Sequence, residues 1–178
     1  LAHKIIERNL SRLCDLDYTL LPEEGQRRLE AGVRLVEKWH NTYGGRILCK
    51  LGPHAVDTIS IPLAKKIVAE GERLGVGFHI HVAQKMQEVS FVRETYGLTP
   101  VEYLCETGLM RTDTVAAHCK FVTKRDIELL RKGGVTFAHC GETSGKRGAL
   151  PPMKDIIDGG ARFVFGTDWV TTDPWTNM

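Results

Sequence analysis

Nothing in the 178 residues marks this chain for a membrane. No apolar run approaches the roughly 18 residues of a spanning helix. The opening Leu1-Ala2-His3-Lys4 has no apolar core of the kind a signal peptide needs. A formal net charge of only +2, with no basic block interleaved with aromatics, argues against a nucleic-acid partner. CxxC spacing is missing, and the cysteine count of five is odd. That pattern fits free thiols in a reducing, cytoplasmic compartment better than a disulfide framework. Cys49, Cys119 and Cys140 sit in apolar strand-like runs, where small core residues are expected. Neither GxGxxG nor a P-loop follows a strand, which disfavours a nucleotide-binding α/β domain. The first residue is not Met, and the sequence stops soon after Asp168, so a piece of a longer chain is expected.

What is present is a core-forming composition, 42% hydrophobic, arranged in alternating elements. Residues 24–43 read as a helix with Leu29, Val33, Val36, Trp39 and Tyr43 on one stripe. Arg46 to Leu51 reads as a strand. A helix capped by Ser60 with Pro62 in its first turn runs to Gly75. Strands follow at Val76–Ala83, Thr114–His118, Val135–His139 and Ala161–Gly166. Helices fall between them at about 85–96, from the Thr99-Pro100-Val101-Glu102 capping box, at Thr123–Lys132 and at 152–158. The glycine-rich stretch Gly141–Gly148 is expected to be a mobile loop. Strict alternation predicts parallel strands joined by right-handed helical crossovers. The fold expected is α/β, an incomplete (β/α)8 barrel of about strands 4 to 8, filling residues 1–178 as one domain.

In such a barrel the carboxyl ends of the strands form the active face. His54, His81, His118, His139 and Asp168 each stand at or just after the end of a predicted strand. His79 and His81 alternate onto one face of their strand, His81 nearer the open end. Imidazoles and a carboxylate are ligands for a divalent ion with one position left for water. Such an ion lowers the water's pKa to about 7. Asp168 suits the proton transfer that follows, and His118 suits either ligation or holding a developing negative oxygen.

HIHVAQ (79–84), TVAAHC (114–119), VTFAHC (135–140) and FGTDW (165–169), in this order, resemble the amidohydrolase superfamily. The resemblance is to its cytosine deaminase-like and chlorohydrolase-like branch, which includes adenosylhomocysteine deaminases and triazine hydrolases. LGPHAVDTIS (51–60) is similar to that branch's Gly-Pro-His-Ala motif. The resemblance implies that His81, His118 and Asp168 surround the metal, with Asp168 and His118 also catalytic. It implies that His54 and His139 line the substrate pocket, with Trp169 either narrowing it or packing. Zn²⁺ is the implied cofactor, with Fe²⁺ the alternative. The implied substrate is a small nitrogen heterocycle cleaved at a C–N or C–Cl bond, in a complete protein expected to be a homo-oligomer.

Three departures from the branch shape the expectations. Its first-strand HxH is absent, and neither His3 nor His40 has that context. Its first strands and flanking β-sandwich are missing too. A catalytically silent barrel fragment is therefore the second reading. Gln84 stands where the branch's deaminases carry a proton-donating Glu, and an amide cannot transfer a proton at neutral pH. Glu88 and Glu142 read as solvated surface residues, and Lys50 as a rim or surface lysine.

Overall fold

Among the described residues, six short strands lie side by side, all parallel and in chain order. The computed structural model describes residues 4–9, 18–169 and 173, so His3 and Cys14 lie outside the described residues. Strand β1 (Lys4–Ile5) pairs with β2 (Gly52–Pro53). Bridges Leu51–Phe78 and Ala55–His81 carry the ladder from there to β3 (Phe78–Val82). Next come β4 (Thr114–His118), β5 (Thr136–His139) and β6 (Phe163–Phe165). A doubly wound sheet reverses its order at a switch point, whereas this progression never reverses, as in a barrel wall. The structure is the expected α/β barrel fragment.

Helices cover one face of the wall: α1 (Pro22–Trp39), α3 (Ile61–Leu74), α4 (Met86–Tyr96), α5 (Pro100–Thr107), α6 (Lys124–Gly133) and the short α7 (Gly141–Lys146) and α8 (Met153–Asp158). Thr42–Gly45, α2, is a single irregular turn with Tyr43 and Gly44 at positive φ. Capping residues set the main starts. Ser60 Oγ accepts from Leu63 N–H, and Thr99 and Thr123 form reciprocal boxes with Glu102 and Asp126. Each such cap contributes about 1 kcal/mol. The Thr99 hydroxyl also donates to Asp126 Oδ1 at 2.6 Å, tying the starts of α5 and α6 together. Strand alternation then divides the residues. Phe78, Ile80 and Val82 are buried toward the helices, while His79 and His81 turn to the concave face.

Four sequence expectations shift. The helix expected to 43 stops at Trp39, because His40 is extended and Asn41 is left-handed, which leaves Tyr43 exposed. In the strand expected over 46–51, Ile47 bridges back to Thr42, and the parallel ladder begins at Leu51. Between them, Cys49 N–H donates to His40 Nδ1, and the Lys50 ammonium donates to Asp113 O. Strand β1 is too short to show any period in sequence. Gly141–Lys146 is helical, with Thr143 and Ser144 buried against the fold, not a loose loop.

Gly71, inside α3, shows how tightly the layers meet. A Cβ there would fall 2.4 Å from the buried Phe78 ring. Alanine gains about 1 kcal/mol of helix propensity, but overpacking costs about 1–3 kcal/mol. Gly71→Ala is therefore expected to destabilise the protein in urea denaturation, and a stabilised variant would contradict this packing.

Candidate metal centre

The parallel register brings the predicted residues to one rim. His81 pairs with Ala117 and Val82 with His118, while His139 pairs with Phe165. The His81 ring stands 5.0 Å from that of His54 and 5.2 Å from that of His118, centroid to centroid. His118 Nε2 lies 4.0 Å from Asp168 Oδ2. Tetrahedral zinc sets its nitrogen and oxygen donors about 3.4 Å apart, so this pair would close by roughly half an ångström around a shared ion.

Hydrogen bonds fix which ring nitrogens face the opening. His81 Nδ1–H donates to the His54 carbonyl, which also accepts the His81 backbone N–H at 3.0 Å. His81 Nε2 is thereby left as a lone-pair donor. The Thr58 hydroxyl donates to Ala55 O at 2.9 Å, so His54 Nδ1–H donates to Thr58 Oγ1, 3.2 Å away. His54 Nε2 is left as an acceptor. Burial, then the neighbouring His81, pushes the His54 imidazole down to about 3 and that of His118 down to about 4. Burial also lowers His81, against the pull of the His54 carbonyl. These rings are neutral at ordinary pH, the state a metal requires. His118 Nδ1 and His139 Nδ1 are buried without a hydrogen-bond partner. Neutral nitrogens, a carboxylate and orphaned buried donors together fit a divalent cation.

The backbone is strained at the same rim. Ala83, His118, Cys119 and Asp168 all have positive φ, although none is glycine. Each such residue costs on the order of 1–3 kcal/mol, and such strain clusters at functional sites. Neighbouring loops hold it in place. Ala83 O accepts from Lys120 N–H and Phe121 N–H, and Val82 O accepts from Cys119 N–H. Glu88 accepts from Ala83 N–H at 2.6 Å and Gln84 N–H at 2.9 Å. Glu88 is fully buried, so the surface reading of this residue is wrong. Glu142 pairs with Lys146 at 2.6 Å on α7.

The other predicted residues are placed less centrally. His139 is buried between Phe137 and Phe165. Gln84 is half-buried, anchored through its backbone to Glu88. Trp169 is 75% exposed. His79 opens to the concave face, and His40 serves the turn before β2. Sequence reasoning missed Cys140, whose sulfur sits beside His118 and Asp168. It also missed the fully buried Arg8–Asp57 pair, 3.6 Å apart. The position of Cys140 directly after a strand-end histidine was the available signal. Arg8 offered none.

Burial raises the Glu88 carboxyl from 4.5 to about 8, against the pull of the Ala83 and Gln84 N–H groups. The folded protein thus holds this proton more tightly than the unfolded chain does. Glu88's contribution to stability is full below pH 4.5 and is lost as pH rises through about 8. Glu88→Gln is expected to flatten that decline in unfolding measurements across this range. It should also cost about 1–3 kcal/mol near pH 5, because an amide NH₂ then faces a backbone N–H. An unchanged pH slope would contradict this placement.

The Amidohydrolase family profile matches residues 4–172. A 5-methylthioadenosine/S-adenosylhomocysteine deaminase of Moorella thermoacetica is 36% identical over 154 residues, covering 86% of this chain and 36% of that protein. One from Carboxydothermus hydrogenoformans is 30% identical over 169 residues, covering 94% of this chain and 39% of the relative. The chain thus spans well under half the length of these relatives. Among solved structures, a zinc-bound adenosine deaminase from Xanthomonas campestris superposes with a TM-score of 0.76 at 22% identity, over 93% of this chain and 36% of that one. A zinc-complexed atrazine chlorohydrolase from Arthrobacter aurescens gives 0.77 at 23%, over 93% and 37%. These two likenesses bear on fold alone, but the profile covers nearly the whole sequence: the chain belongs to the amidohydrolase family.

Proposed function

We propose that this chain is the metal-holding part of a hydrolase that breaks a C–N or C–Cl bond of a small nitrogen heterocycle. The observation carrying the proposal is that His118 Nε2 faces Asp168 Oδ2 at 4.0 Å on a strained rim, with the His81 ring 5.2 Å from that of His118. Family membership supports a metal-dependent hydrolase, and the deaminase and chlorohydrolase names of similar proteins support the two bond types. His81 and His118 would hold the ion through neutral imidazoles, with Asp168 supplying negative charge. Zinc supplies Lewis acidity that makes water a nucleophile at neutral pH. Nitrogen and oxygen donors alone do not choose sharply between Zn²⁺ and Fe²⁺.

The chain's own residues divide the remaining work. Asp168, its carboxylate beside the His118 ring, accepts a proton from attacking water and returns it to the departing group. His54 presents Nε2 to a substrate N–H, and buried His139 closes the pocket's side. Gln84 positions by hydrogen bonding and transfers no proton. Glu88 cannot take over, since both its oxygens are engaged by backbone. This supports a leaving group, such as chloride, that departs without a proton from that quarter.

Two variants of the complete protein test the reading. Asp168→Asn is expected to lower turnover by about 10²–10⁴-fold, the usual worth of a general acid–base group. Near-normal turnover would refute its role. Gln84→Glu is expected to raise ammonia release from amino-substituted heterocycles relative to chloride release from chlorinated ones. An unchanged ratio would remove Gln84 from the selection of the leaving group.

A further inference from the structure

Cys140 follows β5 directly and begins the turn into α7. Its Sγ, one ring nitrogen of His118 and one carboxylate oxygen of Asp168 all lie within 4.8 Å of one another. The thiol is 5% exposed and His118 is 3% exposed. The thiol's one hydrogen-bond contact among the described residues is a 4.0 Å approach to Ala138 O. Independently of the thiol, His118 Nδ1 is buried with no hydrogen-bond partner, and its Nε2 is aimed at Asp168 across 4.0 Å. Cys119, in contrast, is wholly buried and belongs to no such group among the described residues.

We propose that Cys140 is a thiolate ligand of the rim's cation, giving a mixed nitrogen, sulfur and oxygen set from His118, Cys140 and Asp168. The inference rests on the reading that this rim holds a divalent ion. As the metal–sulfur bond forms, the S–H bond breaks and its proton passes to solvent, so binding releases one proton per ion at this residue. A soft thiolate favours zinc over iron, a choice that the nitrogen and oxygen donors do not make. The added negative charge also tempers the ion's Lewis acidity, because thiolate and carboxylate together neutralise a dication.

Cobalt(II) titration of the full chain separates the outcomes, because cobalt accepts the same donors and is visible spectroscopically where zinc is silent. The proposal expects ligand-field bands in the visible together with a near-ultraviolet sulfur-to-cobalt charge-transfer band. The latter is lost in Cys140→Ser and retained in Cys105→Ser, a change at an exposed thiol. Zinc affinity of Cys140→Ser should fall by at least about tenfold, the lower end of what even supporting residues contribute. Circular dichroism establishes that the variant is folded. Ligand-field bands without the charge-transfer band would overturn Cys140 ligation and leave the cation site standing. A charge-transfer band that survives in Cys140→Ser would assign the thiolate elsewhere and overturn it as well. Absence of any cobalt spectrum, with no ion retained on dialysis, would overturn both the proposal and the reading beneath it.

Discussion

One carbonyl organises the centre. The backbone oxygen of His54 accepts both the main-chain N–H and the ring Nδ1–H of His81. The first bond extends the parallel ladder from β2 to β3. The second orients the imidazole and leaves Nε2 available, the arrangement by which second-layer contacts tune a metal-binding histidine. Fold and site are therefore coupled at a single atom. Were the register of β2 against β3 to slip by one residue, His81 would turn from the concave face into the helices, and Val82 would take its place.

The same coupling explains where the backbone is strained. Strand ends that deliver side chains to a shared rim must turn sharply, and at Ala83, His118, Cys119 and Asp168 they do so without glycine. The strain is supported by the Glu88 carboxyl under Ala83 and Gln84, and by the Ala83 carbonyl that binds the loop after β4. Buried support of this kind holds imidazoles rigidly before any ligand arrives, which is what a preorganised site requires.

Much of this was legible in sequence where the physics is local. Thr99 and Thr123 announce helices because their hydroxyls satisfy N–H groups a few residues on, and both boxes form as expected. The placement of His81 and His118 at neighbouring strand ends, with Asp168 facing His118, was legible because parallel topology makes strand ends converge. Non-local features were hidden. Strand β1 exists only because β2 pairs with it, and two residues carry no period. Glycine-rich Gly141–Lys146 becomes helical because Thr143 and Ser144 find buried positions in the finished fold. Glu88 looked like a surface residue on an amphipathic helix, since its partners Ala83 and Gln84 lie in the preceding turn. Cys140 reads as a small apolar residue until His118 and Asp168 are brought beside it.

Family membership and geometry both support the proposal that this rim holds one cation between separate strands. The most direct test is a crystal structure of the zinc-loaded protein with anomalous scattering recorded on both sides of the zinc edge. The account predicts a single strong zinc-specific peak within bonding distance of His118 and Asp168, beside the His81 ring. A peak found instead among His40, Cys49 and His79, or no zinc-specific peak at the rim, would contradict it.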